Sequence, residues 1–516
     1  MVKNFKNKDI RIEISEEEIN KRIDQIELLD IEDDLRNFML DALYALVKLD
    51  QIMGMKETTL ARLRKIFNKK SEKRPAPSED QLPNGEKPKQ GKNQGRNGKE
   101  DYPGAEKKWH PHESLKMGER CPDCTKGNLC AYEPGIYIRV TGSPLLEATI
   151  HETEKFRCSG CQKIFEAKSE VKDQEKYDEK AKAIIALLKY RASFPFYRLE
   201  KIQKHFYVPM PASTQWDIVS DLARFLRPIW SSMVEVAMEW GNFRIDDTKA
   251  KIISLMKENK IGGSKRKGIY TTGVIAENGV YRINLYLTGR KYAGENLTEI
   301  LKNRNSPYPP VVMSDALGTN RVKIMKVLEA LCLSHGRRQF VDLEKIFKEE
   351  SEFVLKMISG VYKVEKECRE KYFNPRKRLE IHQEKSEPIM EDLKKYLDRA
   401  MEEKLVEPNS GLGNAINYMR KRWVGLTAFL RIEGAPLDNN LLEESLRVHV
   451  LNRKNWLFFR TMEGAMVADT ILSLIKTCES NGKNPFDYLV WVQKNKSEVI
   501  KNPKNFLPWC FSSQNI

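Results

Sequence analysis

Apolar and polar positions along this chain change period several times, and each change marks an expected element. Leu35, Met39, Ala42, Leu46 and Leu49 recur by four and three, a helical seam that fits a short coiled coil and an amphipathic helix packed on a neighbour equally well. Upstream, Ser15 followed three residues later by Glu18 is a capping-box signature. From 69 to 108 apolar side chains almost vanish and Pro, Gly, Asn, Gln, Glu and Lys dominate. Such a stretch cannot bury enough surface to offset the entropy of ordering it, which predicts a flexible basic linker. Tyr137-Ile138-Arg139-Val140 and Leu146 to His151 are β-rich. The helical period returns at about 176–240: Phe194-Pro195-Phe196-Tyr197-Arg198 opens a short helix, Tyr207 to Pro211 is a turn, and Ser213-Thr214 cap a second helix. Its apolar face is Ile218, Leu222, Phe225, Leu226 and Ile229. Helix, turn and capped helix describe a helix-turn-helix, and equally two packed helices without a DNA role.

Strand-like runs follow. Phe243 to Thr248 predicts a strand carrying Asp246 and Asp247. Gly268 to Ala276 and Val280 to Leu287 flank Glu277-Asn278-Gly279, a strong hairpin signal. A helix over about 295–303 leads to Pro309 to Asp315, a buried strand tipped by an acid, and Leu331 to His335 reads as a fifth strand. A charged helical stretch spans about 340–430, and Asp438 or an adjacent Asn caps a last helix with Glu443 in its first turns. Three strands, helix, strand, helix and strand follow the order of a ribonuclease-H-like fold. In that fold the first and fourth strands are neighbours, which brings Asp246 and Asp315 within reach of one metal cluster.

Composition narrows the class. At about 150 residues per domain, 516 residues suggest three or four folded units. Hydrophobic residues at 40% exclude global disorder. No apolar run reaches the roughly 18 residues of a membrane span, and the first residues lack a signal-peptide pattern. A soluble, cytoplasmic protein is therefore expected. Lys and Arg (89) exceed Asp and Glu (73), giving +16; this favours a polyanionic partner, nucleic acid before membrane, with solubility as the plainer explanation. Two C-x-x-C knuckles, Cys121/Cys124 and Cys158/Cys161, supply four soft ligands of a closed tetrahedral zinc site. Neutral buried cysteines are the alternative, and a redox pair lacks its βαβ context. Acids on three separate elements are what two-metal phosphoryl transfer requires, with Mg²⁺ or Mn²⁺ ions about 3.5–4 Å apart. Any one of 73 acidic residues is by default a solvated charge.

Several blocks then line up in order. They are Leu63-Arg64-Lys65-Ile66-Phe67 with Lys70-Ser71-Glu72-Lys73, the four cysteines, Phe196-Tyr197-Arg198, Ser213-Thr214 with Trp216, Cys332 to Phe340, Asp438-Asn439-Asn440-Leu441-Leu442-Glu443, Arg453 to Phe458, and Asn484 to Leu489. With these the sequence resembles the insertion-sequence-66 family of bacterial transposases, which carry a DDE catalytic domain. The resemblance implies a multidomain α+β chain whose ribonuclease-H-like core holds a helical insertion. It divides as a helical N-terminal region (1–68), basic linker (69–108), zinc-binding module (109–172), helical domain (173–240), first part of the core (241–340), helical insertion (341–430), final part of the core (431–475) and C-terminal region (476–516). It assigns the Mg²⁺-binding catalytic triad to Asp246, Asp315 and Glu443, with Asp247 the outside candidate because neighbours on a strand face opposite ways.

Three positions depart from the family pattern: Asp247 where Glu is usual, Asn452 where Gly is usual, and Glu444 where Arg is usual. Arg337, Arg338, Arg453 and Lys454 would contact phosphates, or only solubilise the surface. Trp456 would stack on a splayed base or serve as a core aromatic; His335 would orient a phosphate or water, or cap its strand. The implied function is binding of terminal inverted repeats, 3′-end cleavage and strand transfer to target DNA. A homo-oligomer on DNA and accessory proteins of the same element are implied, and no membrane. The competing readings are a catalytically inactive, zinc-containing DNA-binding protein derived from a transposase, and a ribonuclease-H-like nuclease without strand transfer.

Overall fold

In a computed structural model, the structure describes residues 174–262, 266–322 and 325–512, the stretches 116–120, 145–157 and 164–168, and positions 25, 35, 39, 122 and 128. The capping box at Ser15, the linker 69–108 and all four knuckle cysteines lie outside the described residues, as does most of the heptad seam. Leu35 and Met39 of that seam are helical and exposed. The chain forms two compact units, Met1–Arg139 and Val140–Ile516. In the first, Arg120 and Asn128 form an antiparallel bridge. Everything below concerns the second.

Residues 145–154 are irregular rather than the strand their β-rich composition predicts. Leu146 is buried, and its carbonyl accepts a hydrogen bond from Gln203 Nε2 (3.2 Å), so tertiary docking replaces strand pairing there. A short antiparallel pair follows, β1 (Lys155–Arg157) with β2 (Ile164–Glu166).

Helix α1 (Glu179–Ala186) is capped by Asp178, whose carboxylate accepts from Ala181 N at 2.7 Å, and runs into a π-helical turn, Leu187–Arg191. Helix α2 is Phe196–His205 and α3 is Ala212–Met238. Ser213 and Thr214 do not cap α3. The helix opens one residue earlier behind Pro211, whose fixed φ suits a helix entry, and Glu200 Oε2 accepts from Ala212 N at 3.1 Å. The predicted apolar face is buried at Ile218, Leu222, Leu226 and Ile229.

Strand β3 (Asn242–Lys249), helix α4 (Ile253–Lys260), strands β4 (Tyr270–Glu277) and β5 (Arg282–Gly289), helix α5 (Ala293–Leu301), and strands β6 (Val311–Ser314) and β7 (Leu328–Leu331) come next. One sheet has the order β5-β4-β3-β6-β7; β3, β4 and β5 pair antiparallel, and β6 and β7 run parallel to β3 and to each other. The first and fourth strands of this sheet are thus adjacent, as the element order predicted. The β4–β5 turn is built by Asn278, whose side chain accepts from Val280 N and Tyr281 N (3.0 and 2.7 Å), with Gly279 at φ +89°. Only a residue without a Cβ adopts that conformation readily.

Leu331 to His335 is not a strand: β7 ends at Leu331 and helix α6 (Leu333–Val341) begins, because Leu333 N donates to the distant Leu437 carbonyl (3.2 Å) instead of to a sheet neighbour. Four helices then form a lobe: α7 (Lys348–Glu370), α8 (Pro375–Lys385), α9 (Glu387–Glu402) and α10 (Gly411–Leu426). The lobe has its own core around Val354, Ile358, Leu393, Leu397, Ile416 and Met419. The chain returns as α11 (Asn440–Trp456) and ends in α12 (Met462–Ser480), α13 (Pro485–Lys494) and α14 (Lys496–Lys501).

Helix α12 lies along the outer edge of β5. Its residues Asp469, Ser473 and Thr477 and its C-cap Asn481, one every four, accept from the backbone N–H groups of Thr288, Tyr286, Asn284 and Arg282 at 2.6, 3.0, 3.0 and 3.1 Å. A helix repeat of four thus matches a strand repeat of two, and the edge amides are satisfied. Among the described residues no helix is long and apolar enough to cross a membrane.

Candidate active site

The parallel register of β3 and β6 sets the geometry. Asn242 faces Val311, Phe243 faces Val312 and Arg244 faces Met313, after which the pairing stops. Carried two residues further, the same register sets Asp246 opposite Asp315, just beyond the last pair. Asp315 therefore stands just past the C-terminal end of β6, and Asp246 stands on β3 just beyond the point where the parallel pairing stops, the side on which open α/β sheets bind ligands. Asp315 Oδ1 is held by Leu317 N (3.2 Å) and by Asn320 Nδ2.

Alternation along β3 separates the two neighbouring aspartates. Asp247 accepts from Thr272 Oγ1 (2.5 Å) and from Ala293 N at the start of α5 (2.7 Å). Asp246 lies opposite Gly273 of β4 in the antiparallel register. A Cβ on Gly273 would come within 2.9 Å of both Leu442 and Leu446, so glycine is what lets α11 sit down on the sheet here. That contact brings Glu443, in the first turn of α11, to the Asp246 side.

The entry to α11 is clamped. Asn439 Nδ2 donates to the Ile245 carbonyl (3.1 Å), Asn439 N donates to Cys332 Sγ (3.2 Å), and Arg244 Nη1 donates to the Asp438 carbonyl. Arg244 is itself fixed by Glu277 (3.0 Å). Of the expected caps, Asp438 or an adjacent Asn, Asn439 takes the N-cap position without a side-chain cap bond, and Asp438 accepts from Asn440 N and Nδ2 (3.1 and 2.9 Å). The three acids are thus delivered by β3, the end of β6 and the start of α11.

Their charges interact. Burial pushes the Asp246 carboxyl up to about 7, and the nearby charges of Asp315, Asp247 and Glu443 push the same way; the Asp247 N–H donated to Asp246 Oδ1 opposes them in part. Burial also raises Asp247, against the bonds from Thr272 and Ala293. Two nitrogen-bearing side chains approach the pocket. His335 Nδ1 is 3.9 Å from Glu443 Oε1, and Arg338 Nη2 is 3.9 Å from Glu443 Oε2. Arg337 is exposed on the same helix.

The remaining predicted DNA contacts sit at the far end of α11. Lys454 is exposed, and Arg453 Nη1 reaches Thr248 Oγ1 at 3.4 Å. Trp456 is enclosed: the Lys189 ammonium lies 3.5 Å from its ring centroid, with Tyr190 and Phe459 edge-on at 5.9 and 5.3 Å. A base would have to displace Lys189 to stack on that face. Of the helix pair at 196–238, α2 turns Arg198, Lys201 and Lys204 outward, whereas the exposed start of α3 shows Asp217 and Asp221. The positive surface is therefore on the first helix.

Sequence reasoning passed over Asn439 as a clamp and Cys332 as a neighbour of the pocket. The spacing of Cys332 and His335, three apart, carries the second signal once the segment is read as a helix.

A mixed α/β core that brings acids from β3, the end of β6 and the start of α11 toward one side of its sheet is the class that fold and site define. The chain matches the family described as "Transposase IS66 family" over residues 175–467, more than half its length, and it belongs to that family. It is also similar to three proteins of Sinorhizobium fredii (strain NBRC 101917 / NGR234). "Uncharacterized protein y4jD" is 30% identical over 192 residues (36% of this chain, 37% of that protein). "Uncharacterized protein y4hP" is 28% identical over 204 residues (36% of each chain), and "Uncharacterized protein y4qI" 30% over 192 residues (36% of this chain, 34% of that protein). The similarity thus spans about a third of each of these relatives.

Proposed function

We propose that the protein is a DDE transposase that binds the terminal inverted repeats of its element, cuts at the 3′ ends and joins them to target DNA. The observation that supports this is the convergence of Asp246, Asp315 and Glu443 from three elements, near enough that burial first and the charges of the acidic neighbours next push the Asp246 carboxyl up to about 7. Carboxylates left to repel one another in a partly buried pocket fit divalent cations, which remove the repulsion. Mg²⁺ or Mn²⁺ held by these three residues would supply an activated water or 3′-hydroxyl and a stabilised leaving oxygen.

The chain's own contribution is positional. Asn439 and Arg244 fix the start of α11, Asn320 fixes Asp315, and the β3–β6 register aligns the two aspartates. Arg337, Arg338, Arg453 and Lys454, with Arg198, Lys201 and Lys204 of α2, hold DNA phosphates without reading sequence. The strand order β5-β4-β3-β6-β7 supports a ribonuclease-H-like core, with the lobe of α7–α10 inserted before the third acid. Cys121, Cys124, Cys158 and Cys161 hold a structural Zn²⁺ in this reading. A homo-oligomer on paired ends and accessory proteins of the element belong to the same proposal.

The test is a strand-transfer assay with paired end sequences in Mg²⁺ or Mn²⁺. Product is expected with the unaltered chain and is lost in Asp315→Asn and Glu443→Gln. Specific end binding with no cleavage in either metal would instead support a binding-only descendant. Cleavage without joining would support a nuclease.

A further inference from the structure

Beside the three acids lies a second donor set of different chemistry. Cys332 Sγ, a ring nitrogen of His335 and a carboxylate oxygen of Glu443 all lie within 4.8 Å of one another. Cys332 is the residue before α6 and His335 is in its first turn, so one local structure aims both toward the first turn of α11.

Two of these atoms also lack partners. His335 Nδ1 and Glu443 Oε1 are both buried, accept or donate no hydrogen bond, and stand 3.9 Å apart. Buried polar atoms normally find a partner, and a single shared ion would satisfy both. Arg338 occupies the other oxygen of Glu443, leaving Oε1 free. The thiol accepts from Asn439 N (3.2 Å).

Sulfur, imidazole nitrogen and one carboxylate oxygen form a borderline-soft set. Zn²⁺ and its stand-ins Co²⁺ and Cd²⁺ prefer such donors at tetrahedral spacing, whereas Mg²⁺ demands oxygen in near-octahedral array. We infer that Cys332, His335 and Glu443 form a three-residue site for a zinc-class ion, with its fourth position open to the pocket. On binding, the thiol S–H is replaced by a sulfur–metal bond and its proton leaves to solvent. Glu443 cannot then serve the neighbouring acid cluster, so a zinc-class ion arrests the Mg²⁺-dependent reaction. This consequence rests on the transposase reading; the binding itself does not.

The full chain, purified with whatever zinc it retains, is titrated with Co²⁺ and followed by the thiolate-to-cobalt absorption band. Cys332→Ser should take up one ion fewer than the unaltered chain. His335→Ala should bind that ion at least tenfold more weakly, the usual scale for losing a ligand or its support, and Asp315→Asn should keep it. Because Cys332 is buried, Cys332→Ser risks misfolding. His335 is 27% exposed, so His335→Ala with an unchanged thermal melt decides the matter alone. Equal stoichiometry and affinity in the unaltered chain and His335→Ala overturn the site. In a cleavage assay at fixed Mg²⁺, the half-inhibitory Zn²⁺ concentration should rise at least tenfold in His335→Ala; Co²⁺ uptake without any Zn²⁺ inhibition overturns the regulatory half. If the unaltered chain never cleaves DNA, the transposase reading fails while the Co²⁺ titration still decides the site.

Discussion

Two regions of the second unit concentrate charge out of water, and they do so in opposite ways. In the helical lobe, Glu365 is 6% exposed and accepts from Arg369 (2.8 Å), Arg378 (2.7 Å) and His382 Nε2 (3.0 Å). Burial alone would raise its carboxyl, but His382 and the two guanidinium groups more than offset this and hold it at about 2. At the sheet, burial first and the charges of Asp315, Asp247 and Glu443 next push the Asp246 carboxyl up to about 7. The lobe cluster is balanced within the protein; the pocket is not. A fold keeps an unbalanced group of buried charges where a ligand completes it.

The largest expected effect tests the pocket. Asp246→Asn should lower the rate of end cleavage by about 10³-fold or more while the thermal midpoint stays level or rises, since a repulsive charge is removed. A lowered midpoint would mean that the acid is structural and the contrast false. The mirror experiment is Glu365→Gln. Leaving Arg378 and His382 without their anion should cost about 3 kcal/mol in denaturant unfolding. That cost should shrink as pH falls from 4.5 toward 2, because the stability Glu365 confers is present above its unfolded pKa and lost through its folded one. A neutral result at pH 7 would erase the distinction.

Asn439→Ala should slow cleavage about 10–100-fold by loosening Glu443, with a stability loss of about 1 kcal/mol for the lost bond to Ile245; a purely structural role would show the second effect without the first. The smallest effect concerns Lys189, a buried cation faced only by the rings of Trp456 and Phe196. Burial lowers its ammonium from 10.5 to about 7, so the folded protein gains stability as pH rises from about 7 toward 10.5. Lys189→Met should therefore be stabilising at pH 7, by about 1–2 kcal/mol, and its advantage should fall between pH 7 and 10. A pH-independent difference would show that the folded lysine keeps the pKa of the unfolded chain.

Much of this arrangement was legible in the residues. Period-two runs ending in acids gave β3 and β6, and the Asp438 to Glu443 block gave the start of α11, because local pattern and tertiary burial agree there. Legibility failed where distant contacts decide. Leu331 to His335 alternates like a strand, yet the Leu437 carbonyl and the return of Asn439 turn it into a helix start. Ser213 and Thr214 look like caps, but Glu200 already holds the helix N-terminus. Trp456 reads either as a stacking aromatic or as a core one, and only the fold, which brings Lys189 over its face, decides between them. The Asp469–Asn481 stripe is periodic, but nothing local says that a strand edge is what it meets.

That stripe limits how copies of this protein can associate. With its outermost amides occupied, the β5 rim offers no template for a foreign strand, so neither a second molecule nor a partly unfolded one can lengthen the sheet from that side. Copies of the chain brought close together would stay separate along this border, and any pairing between them must be built elsewhere.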